Sequence, residues 1–283
     1  MQLHLIQTFP FQSPLFQYVS NVTSQNGEDG LIAEIIKRIV PAHKYCVEFG
    51  AWDGKLHSNC HNLVKAHGWG GLMIEVHKER FKELTETYAG FGNVACANRF
   101  VDFEGDNKLD NILREYGAPQ TPGLVSIDVD GPDYYLWESL TLYQPEIVII
   151  EVNPTVPNDV VFVQDKSFEV NQGCSVAALV MLGRQKGYEL AVCTMMNAIF
   201  VRADKFPLLG IQNNSHHLMY APLQNGRIFH GYDGTIHVVG FDGLMWNGAR
   251  RVTSAAFQLI PETERKFDGN SERDKWSALP ADH

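Results

Sequence analysis

Short apolar runs that close on a carboxylate recur along the first two thirds of the chain, and between them the apolar residues fall into helical spacing. Leu31, Ile32, Ile35, Ile36 and Ile39 mark one face of an amphipathic helix that ends near Lys37 and Arg38. The polar stretch Ser24–Gly30 before it either caps that helix or lets Gln25, Glu28 and Asp29 reach over a ligand site. Tyr45-Cys-Val-Glu-Phe-Gly-Ala-Trp-Asp-Gly54 then reads as a buried strand running into a loop, with Gly50 and Gly54 permitting close backbone approach and Glu48 and Asp53 at the strand's carboxyl end. In open α/β sheets ligands sit at that end.

The rhythm continues. Ser58 or Asn59 caps a helix reaching about His67, and Gly70-Gly-Leu-Met-Ile-Glu75 is a second strand ending in an acid. Glu75 stands roughly 20 residues past the glycine loop, the place from which a carboxylate accepts ribose hydroxyls; otherwise it favours the start of the helix His77–Tyr88 through the macrodipole. A third strand spans Val94–Phe100, and Asp102 after it either meets an adenine amino group or caps the helix at about Asp106–Tyr116. Leu124-Val-Ser-Ile-Asp-Val-Asp-Gly131 and Pro145-Glu-Ile-Val-Ile-Ile-Glu-Val-Asn-Pro154 are two more strands, separated by a helix over Asp133–Leu142. Together they bring Asp128, Asp130, Glu151 and Asn153 to one rim. Buried carboxylates are costly unless paired or metal-bound, and an oxygen set of Asp128, Glu151 and Asn153 suits magnesium or another hard divalent cation. Alternatively, Asp130 and Asp133 begin the helix while Glu151 bonds backbone amides. A helix over Gly173–Gly187 and two strands, Tyr188–Cys193 and Ala198–Arg202, joined by only Thr194–Asn197, close the sheet as an antiparallel hairpin.

The flanks lack this order. Residues 1–23 form an extended N-terminal arm, the core domain covers 24–205, and 206–283 is an irregular extension suited to substrate, lid or oligomer contacts. His216, His217, His230 and His237 accumulate there; His216 follows the sheet closely enough to lean over its rim as a base. The last twenty residues, rich in charge, look like a mobile tail. Residues 154–172 form a polar insertion suited to a lid or substrate-contact loop.

Composition narrows the partners. Lys and Arg number 23 against 33 Asp and Glu, a net charge of -10, and no basic run exists, which excludes a nucleic-acid backbone as the expected partner. Five cysteines without C-x-x-C spacing suggest reduced thiols and a cytoplasmic location. No apolar stretch approaches the ~18 residues of a membrane span, and no signal peptide is visible.

The succession Val47-Glu-Phe-Gly-Ala-Trp-Asp-Gly54, Glu75, Asp102, two further strands and a closing hairpin resembles class I S-adenosylmethionine-dependent methyltransferases over about Ser24–Lys205. Within them, Ile127-Asp-Val-Asp-Gly-Pro-Asp133, Pro145-Glu-Ile-Val-Ile-Ile-Glu151 and Asn197-Ala-Ile-Phe200 look like the FkbM-type pattern, with Ile127 where those sequences usually carry a lysine. The resemblance implies a doubly wound, mostly parallel seven-stranded sheet. It further implies S-adenosyl-L-methionine as cofactor, with Glu48, Gly50, Trp52, Asp53, Ser58, Asn59, Glu75 and Asp102 around it. The reaction implied is O-methylation of a small-molecule acceptor such as a sugar or natural product, with Asp128, Asp130 or His216 as catalytic groups. The strand-end acids are also similar to the metal-dependent catechol-type enzymes.

Two other readings stand beside this one. A nucleotide-dependent oxidoreductase fits less well, because the spacing from Gly50 is G-x-x-x-G and Asp53 sits where a pyrophosphate needs bare amides. A non-catalytic binding or scaffold module with the same fold, its carboxyl-terminal third making a partner interface, is the third; a homo-oligomer is compatible with any of them.

Overall fold

The computed structural model describes residues 13–223, 226–240, 243–248 and 250–267, which fall into two compact units divided after Leu223. The arm before residue 13 and the charged terminus from 268 lie outside the described residues.

The first unit contains β1 (Tyr45–Phe49), β2 (Gly70–Ile74), β3 (Val94–Ala97), β4 (Leu124–Ile127), β5 (Ile147–Glu151), β6 (Tyr188–Cys193) and β7 (Asn197–Arg202). They form one sheet in the order β3-β2-β1-β4-β5-β7-β6, parallel except for β7, which runs antiparallel to both β5 and β6. Parallel neighbours require helical crossovers; these are α2 (His61–His67), α3 (Lys78–Tyr88), α4 (Leu109–Glu115), α5 (Asp133–Ser139) and α6 (Val176–Gln185), with α1 (Glu28–Ile39) preceding the sheet. This order with a reversed seventh strand is the Rossmann-like methyltransferase fold, with the expected closing hairpin in place. The third strand stops at Ala97, short of the expected Phe100.

Alternation along the strands divides the core. One set, including Cys46, Leu124, Ile147, Ile149 and Ile199, packs under Leu31, Ile32 and Ile35 of α1. The other, including Val47, Phe49, Ile127, Val148 and Ile150, packs under Leu109, Leu136, Trp137 and Leu179. Register pairs Glu48 with Ser126, Ser126 with Ile149, and Glu151 with Asn197, so Glu48, Ser126, Glu151 and Asn197 share the α1 face. The arm joins this side: Leu15 is fully buried there and the Ser13 hydroxyl donates to Ala191 O at 3.1 Å.

The polar stretch before α1 shapes the turn into the helix without a side-chain cap, since Gly27 holds the N-cap position. Asp29 Oδ2 accepts from the backbone N–H of Val22, Thr23 and Ser24, each at 2.8 Å, which shapes the turn. Glu28, fully buried, reaches across the sheet: its Oε1 accepts from Thr194 Oγ1 at 2.6 Å and Asn197 Nδ2 at 3.0 Å. The unit also runs past Lys205 through a 3-10 turn at Phe206–Leu209 and the short α7 (His216–Met219), burying Met219 and Tyr220.

The second unit is built on an antiparallel pair, β8 (Arg227–His230) with β9 (Ile236–Val239), pinned by Gln258, which bonds both N–H and C=O of Ile236. No helix among the described residues is long and apolar enough to cross a membrane.

Candidate active site

The strand order reverses between β1 and β4, and the loop after β1 is folded tightly against that point. Gly50, Trp52, Gly54 and His57 all have positive φ, from 50° to 76°. Gly50 is obligatory: a Cβ there would lie 1.8 Å from Asp128 O, so the ends of β1 and β4 meet only because the side chain is absent. Asp53 Oδ1 accepts from Lys55 and Leu56 N–H at 2.9 and 2.7 Å, and the exposed Trp52 ring carries the Arg80 guanidinium 4.2 Å from its centroid.

Glu48 lies beneath this loop. Ser58 Oγ donates to its Oε2 at 2.5 Å and Asn59 N–H to its Oε1 at 2.7 Å, which fastens the start of α2 to β1. Burial pushes its carboxyl up to about 7 against the pull of those hydrogen bonds. Asn59 donates to Ser126 Oγ at 3.0 Å, leaving its buried Oδ1 without a partner. Glu75, at the end of β2, accepts from Trp52 N–H at 2.9 Å and His77 N–H at 2.7 Å. A carboxylate offers about four lone-pair sites, so Glu48 and Glu75 each retain capacity for a further donor. Asp102 accepts from Phe103 N–H through Oδ1 at 2.6 Å.

At the ends of β4 and β5 the carboxylates behave differently. Oxygens of Asp128, Asp130 and Glu151 lie within 4.8 Å of one another. Burial and then Asp133, Asp130, Glu48 and Glu28 hold Asp128 well above the usual carboxylate range, and burial with Asp128, Asp133 and Asp130 pushes Glu151 up to about 10. After burial, the influences acting most strongly on both are neighbouring acids, which disfavour two adjacent ionised carboxylates. Asp130 takes φ of 58°, a strained conformation for a non-glycine residue. The turn is held by Asp133, whose oxygens accept from Val129 and Gly131 N–H at 3.0 and 2.9 Å. Being buried, Asp133 is pushed up to about 6.

Asn153 does not join this set through a free amide: its Oδ1 accepts from Thr155 N–H and Oγ1 at 2.9 and 2.6 Å, and its Nδ2 donates to Gln172 O at 2.8 Å. Asn197, cross-strand neighbour of Glu151, is 5% exposed with an unpartnered Oδ1. Of the expected Asp128, Glu151 and Asn153, the first two come together with Asp130, and Asn197 stands beside Glu151. His216 bonds Asn158 O through Nε2 at 3.0 Å and is held below its ordinary value, chiefly by burial. Its ring lies 4.2 Å from that of His217, and among the described residues no histidine belongs to a metal-ligating group.

Sequence reasoning named the strand-end acids, Glu28 and Asp133, but not the partners the last two take, Asn197 and Thr194 for Glu28 and the Val129 and Gly131 amides for Asp133. Both are acids at the first position of a helix, a signal that gives no long-range partner.

No family model matches the chain, and no curated protein does. Solved structures similar to it include the N-terminal domain of EvdMO1 with SAH bound (14% identity, 64% of this chain, 82% of that chain, TM-score 0.42). The CMeT domain of the citrinin polyketide synthase follows at 12%, with 62% and 51% covered and TM-score 0.42, so the chain spans about half of that protein. A SAM-dependent methyltransferase from Aquifex aeolicus matches at 13%, with 60% and 89% covered and TM-score 0.36. Likeness at this level concerns fold alone.

Proposed function

We propose that the chain is an S-adenosylmethionine-dependent methyltransferase acting on a hydroxyl of a small molecule, in the manner of the FkbM-type enzymes. The observation that carries the reading is the meeting of Gly50 with Asp128 at the strand-order reversal, ringed by strand-end acids that form no ion pair with a basic residue among the described residues. Such a rim repels the pyrophosphate of a dinucleotide and suits a sulfonium that bears an amino acid. Glu75 has lone pairs for ribose hydroxyls, Asp102 after β3 is the candidate for a base amino group, and Asn59 Oδ1 is left for a further donor.

The bound donor supplies an electrophilic methyl group; the protein's part is to align it with the acceptor oxygen and remove the acceptor's proton. Asp128 and Asp130 are the candidate bases. A magnesium ion or another divalent cation fits the oxygens of Asp128, Asp130 and Glu151, and there it would lower the pKa of a coordinated hydroxyl. His216, engaged with Asn158 O, ranks behind the acids as a base.

The test is mass spectrometry of the purified protein, native for bound ligands and then for products after incubation with methyl-labelled donor and a panel of sugars and polyols. One donor or demethylated product per chain and a labelled acceptor are expected, and Glu75→Gln weakens the uptake. A folded protein that takes up neither ligand sinks the reading. Unchanged ligand uptake in Glu75→Gln with no turnover on any acceptor favours the scaffold.

A further inference from the structure

Asn197 opens β7 directly opposite Glu151, the last residue of β5. Val152 N–H donates to Met196 O at 2.8 Å, which makes Glu151 and Asn197 a non-hydrogen-bonded cross-strand pair, the kind whose side chains stand closest. The antiparallel hairpin thereby sets one amide beside the carboxylates of Asp128, Asp130 and Glu151, whose oxygens converge at the ends of the parallel strands.

That amide is not free to turn. Its backbone is pinned on both sides, because Thr194 N–H donates to Asn197 O at 2.8 Å and Asn197 N–H to Thr194 Oγ1 at 3.1 Å. Fully buried Glu28, the first residue of α1, takes the side chain. Its Oε1 accepts from Asn197 Nδ2 at 3.0 Å and Thr194 Oγ1 at 2.6 Å, and its Oε2 accepts from Asn26 N–H at 2.7 Å. A carboxylate accepts and cannot donate, so the NH₂ end of Asn197 must face Glu28 and the carbonyl oxygen must face away. Asn197 is 5% exposed, and that oxygen has no partner. A buried acceptor in this state is costly unless a donor or a cation meets it. With the NH₂ end engaged, Oδ1 is the one side-chain polar atom that Asn197 offers to Glu151 and the rim.

We infer that Asn197 is the neutral oxygen ligand of the cation site, its Oδ1 joining the carboxylates of Asp128, Asp130 and Glu151, and that Glu28 is the positioning residue that turns this oxygen toward the ion. The inference rests on the divalent cation of the proposed function. Hard cations take amide carbonyl oxygens alongside carboxylates, and a neutral ligand adds an oxygen without adding to the repulsion among three acids. Asn153, two residues past Glu151, has both ends of its amide engaged by Thr155 and Gln172; Asn197 supplies the same group from the neighbouring strand. Glu28 acts as outer groups around metal sites do, orienting a ligand through a bond to its far atom.

Manganese binding to the full-length protein, followed by loss of the paramagnetic resonance signal of free Mn²⁺, tests this without an acceptor. Asn197→Ala weakens manganese affinity about ten- to a hundredfold. Glu28→Gln gives a similar loss, because Asn26 N–H keeps the oxygen of the new amide and its NH₂ group turns Asn197 over. Adding Asn197→Asp to Glu28→Gln matches donor to acceptor again and returns an oxygen to the ion, so affinity recovers to at least the wild-type value. A crystal of the wild-type protein grown with manganese gives the answer without any substitution: the anomalous peak lies roughly 2–2.6 Å from Asn197 Oδ1. Equal affinity in wild type and Asn197→Ala, or a peak out of reach of Asn197, would overturn the ligand and leave the acidic cation site standing. Wild-type affinity in Glu28→Gln, or a double variant no better than Glu28→Gln alone, would overturn the positioning role. A folded wild-type protein that binds no manganese would overturn the cation site and this inference together, while uptake of S-adenosylmethionine, measured separately, decides the methyltransferase reading.

Discussion

Two groups of carboxylates reach the same rim of the sheet and are treated in opposite ways. Glu48, Glu75 and Asp133 are each bonded through both oxygens to protein N–H or O–H groups, and in doing so they fix the start of α2, the glycine loop and the 128–131 turn. Asp128 and Glu151, at the ends of β4 and β5, are half-buried beside other acids, and desolvation followed by those neighbours raises both carboxyls. The first group stabilises the fold, because a buried acceptor with donors supplied contributes, and removing it orphans those donors. The second has no such donors among the described residues, and ionising it costs desolvation, a cost that the proposed cationic donor would offset. The difference shows how one residue type, at equivalent strand ends, divides between architecture and chemistry according to whether donors are provided.

The largest effect that sharpens this contrast belongs to Glu48→Ala. Loss of the acceptor for Ser58 and Asn59 should destabilise by about 3 kcal/mol, read as a fall in denaturation midpoint at constant slope. Asp128→Asn should leave the midpoint unchanged or higher while weakening S-adenosylmethionine affinity by about ten- to a hundredfold. If Asp128→Asn unfolds the protein as Glu48→Ala does, the division collapses.

Next in size is the pH dependence. Glu151 and Glu48 have folded values raised to about 10 and about 7 from an ordinary 4.5, so the fold favours their protonated forms. Their contribution is fully present below about pH 4.5 and is lost as pH rises, through about 7 for Glu48 and about 10 for Glu151. The ligand-free melting temperature should thus decline across that window. Glu151→Gln should flatten the decline and add about 1–2 kcal/mol at pH 8. A wild-type curve that is flat or rises over this range removes the basis for the poised pair. The smallest effect is Asn153→Ala, which removes the bonds to Thr155 and Gln172 and should cost about 1 kcal/mol. Manganese titration should show no change in that variant and weaker binding in Asp130→Asn; the reverse would return Asn153 to the cation site.

The sheet was legible because its information is local: apolar runs of strand length, each stopping at an acid, with helical spacing between. Only ends shifted, as at β3, where Asn98 turns away to bond Glu75 O and Val76 O at 2.7 and 3.0 Å. The strand-end acids were legible for the same reason, but their division into bonded and unbonded groups was not. Glu48 and Ser58 are ten residues apart, Glu28 and Asn197 are 169 apart, and no spacing rule connects such partners. Asn153 looked like a ligand by position; its amide is instead taken by Thr155 and Gln172. The loop 164–173 read as a polar insertion because Gln164, its organiser, is a residue type usually exposed, and its burial depends on bonds the folded loop itself provides. Past Lys205 the loss of βα rhythm concealed a continuation of the same unit, betrayed by Leu209, Met219 and Tyr220 in the core.

The most direct measurement is calorimetric titration of S-adenosylmethionine into the folded full-length protein near pH 7.5. A single site with a dissociation constant of about 1–100 μM, weakened by Asp128→Asn with no loss of stability, is the predicted result. No heat of binding at millimolar ligand, from protein shown to be folded, would contradict it.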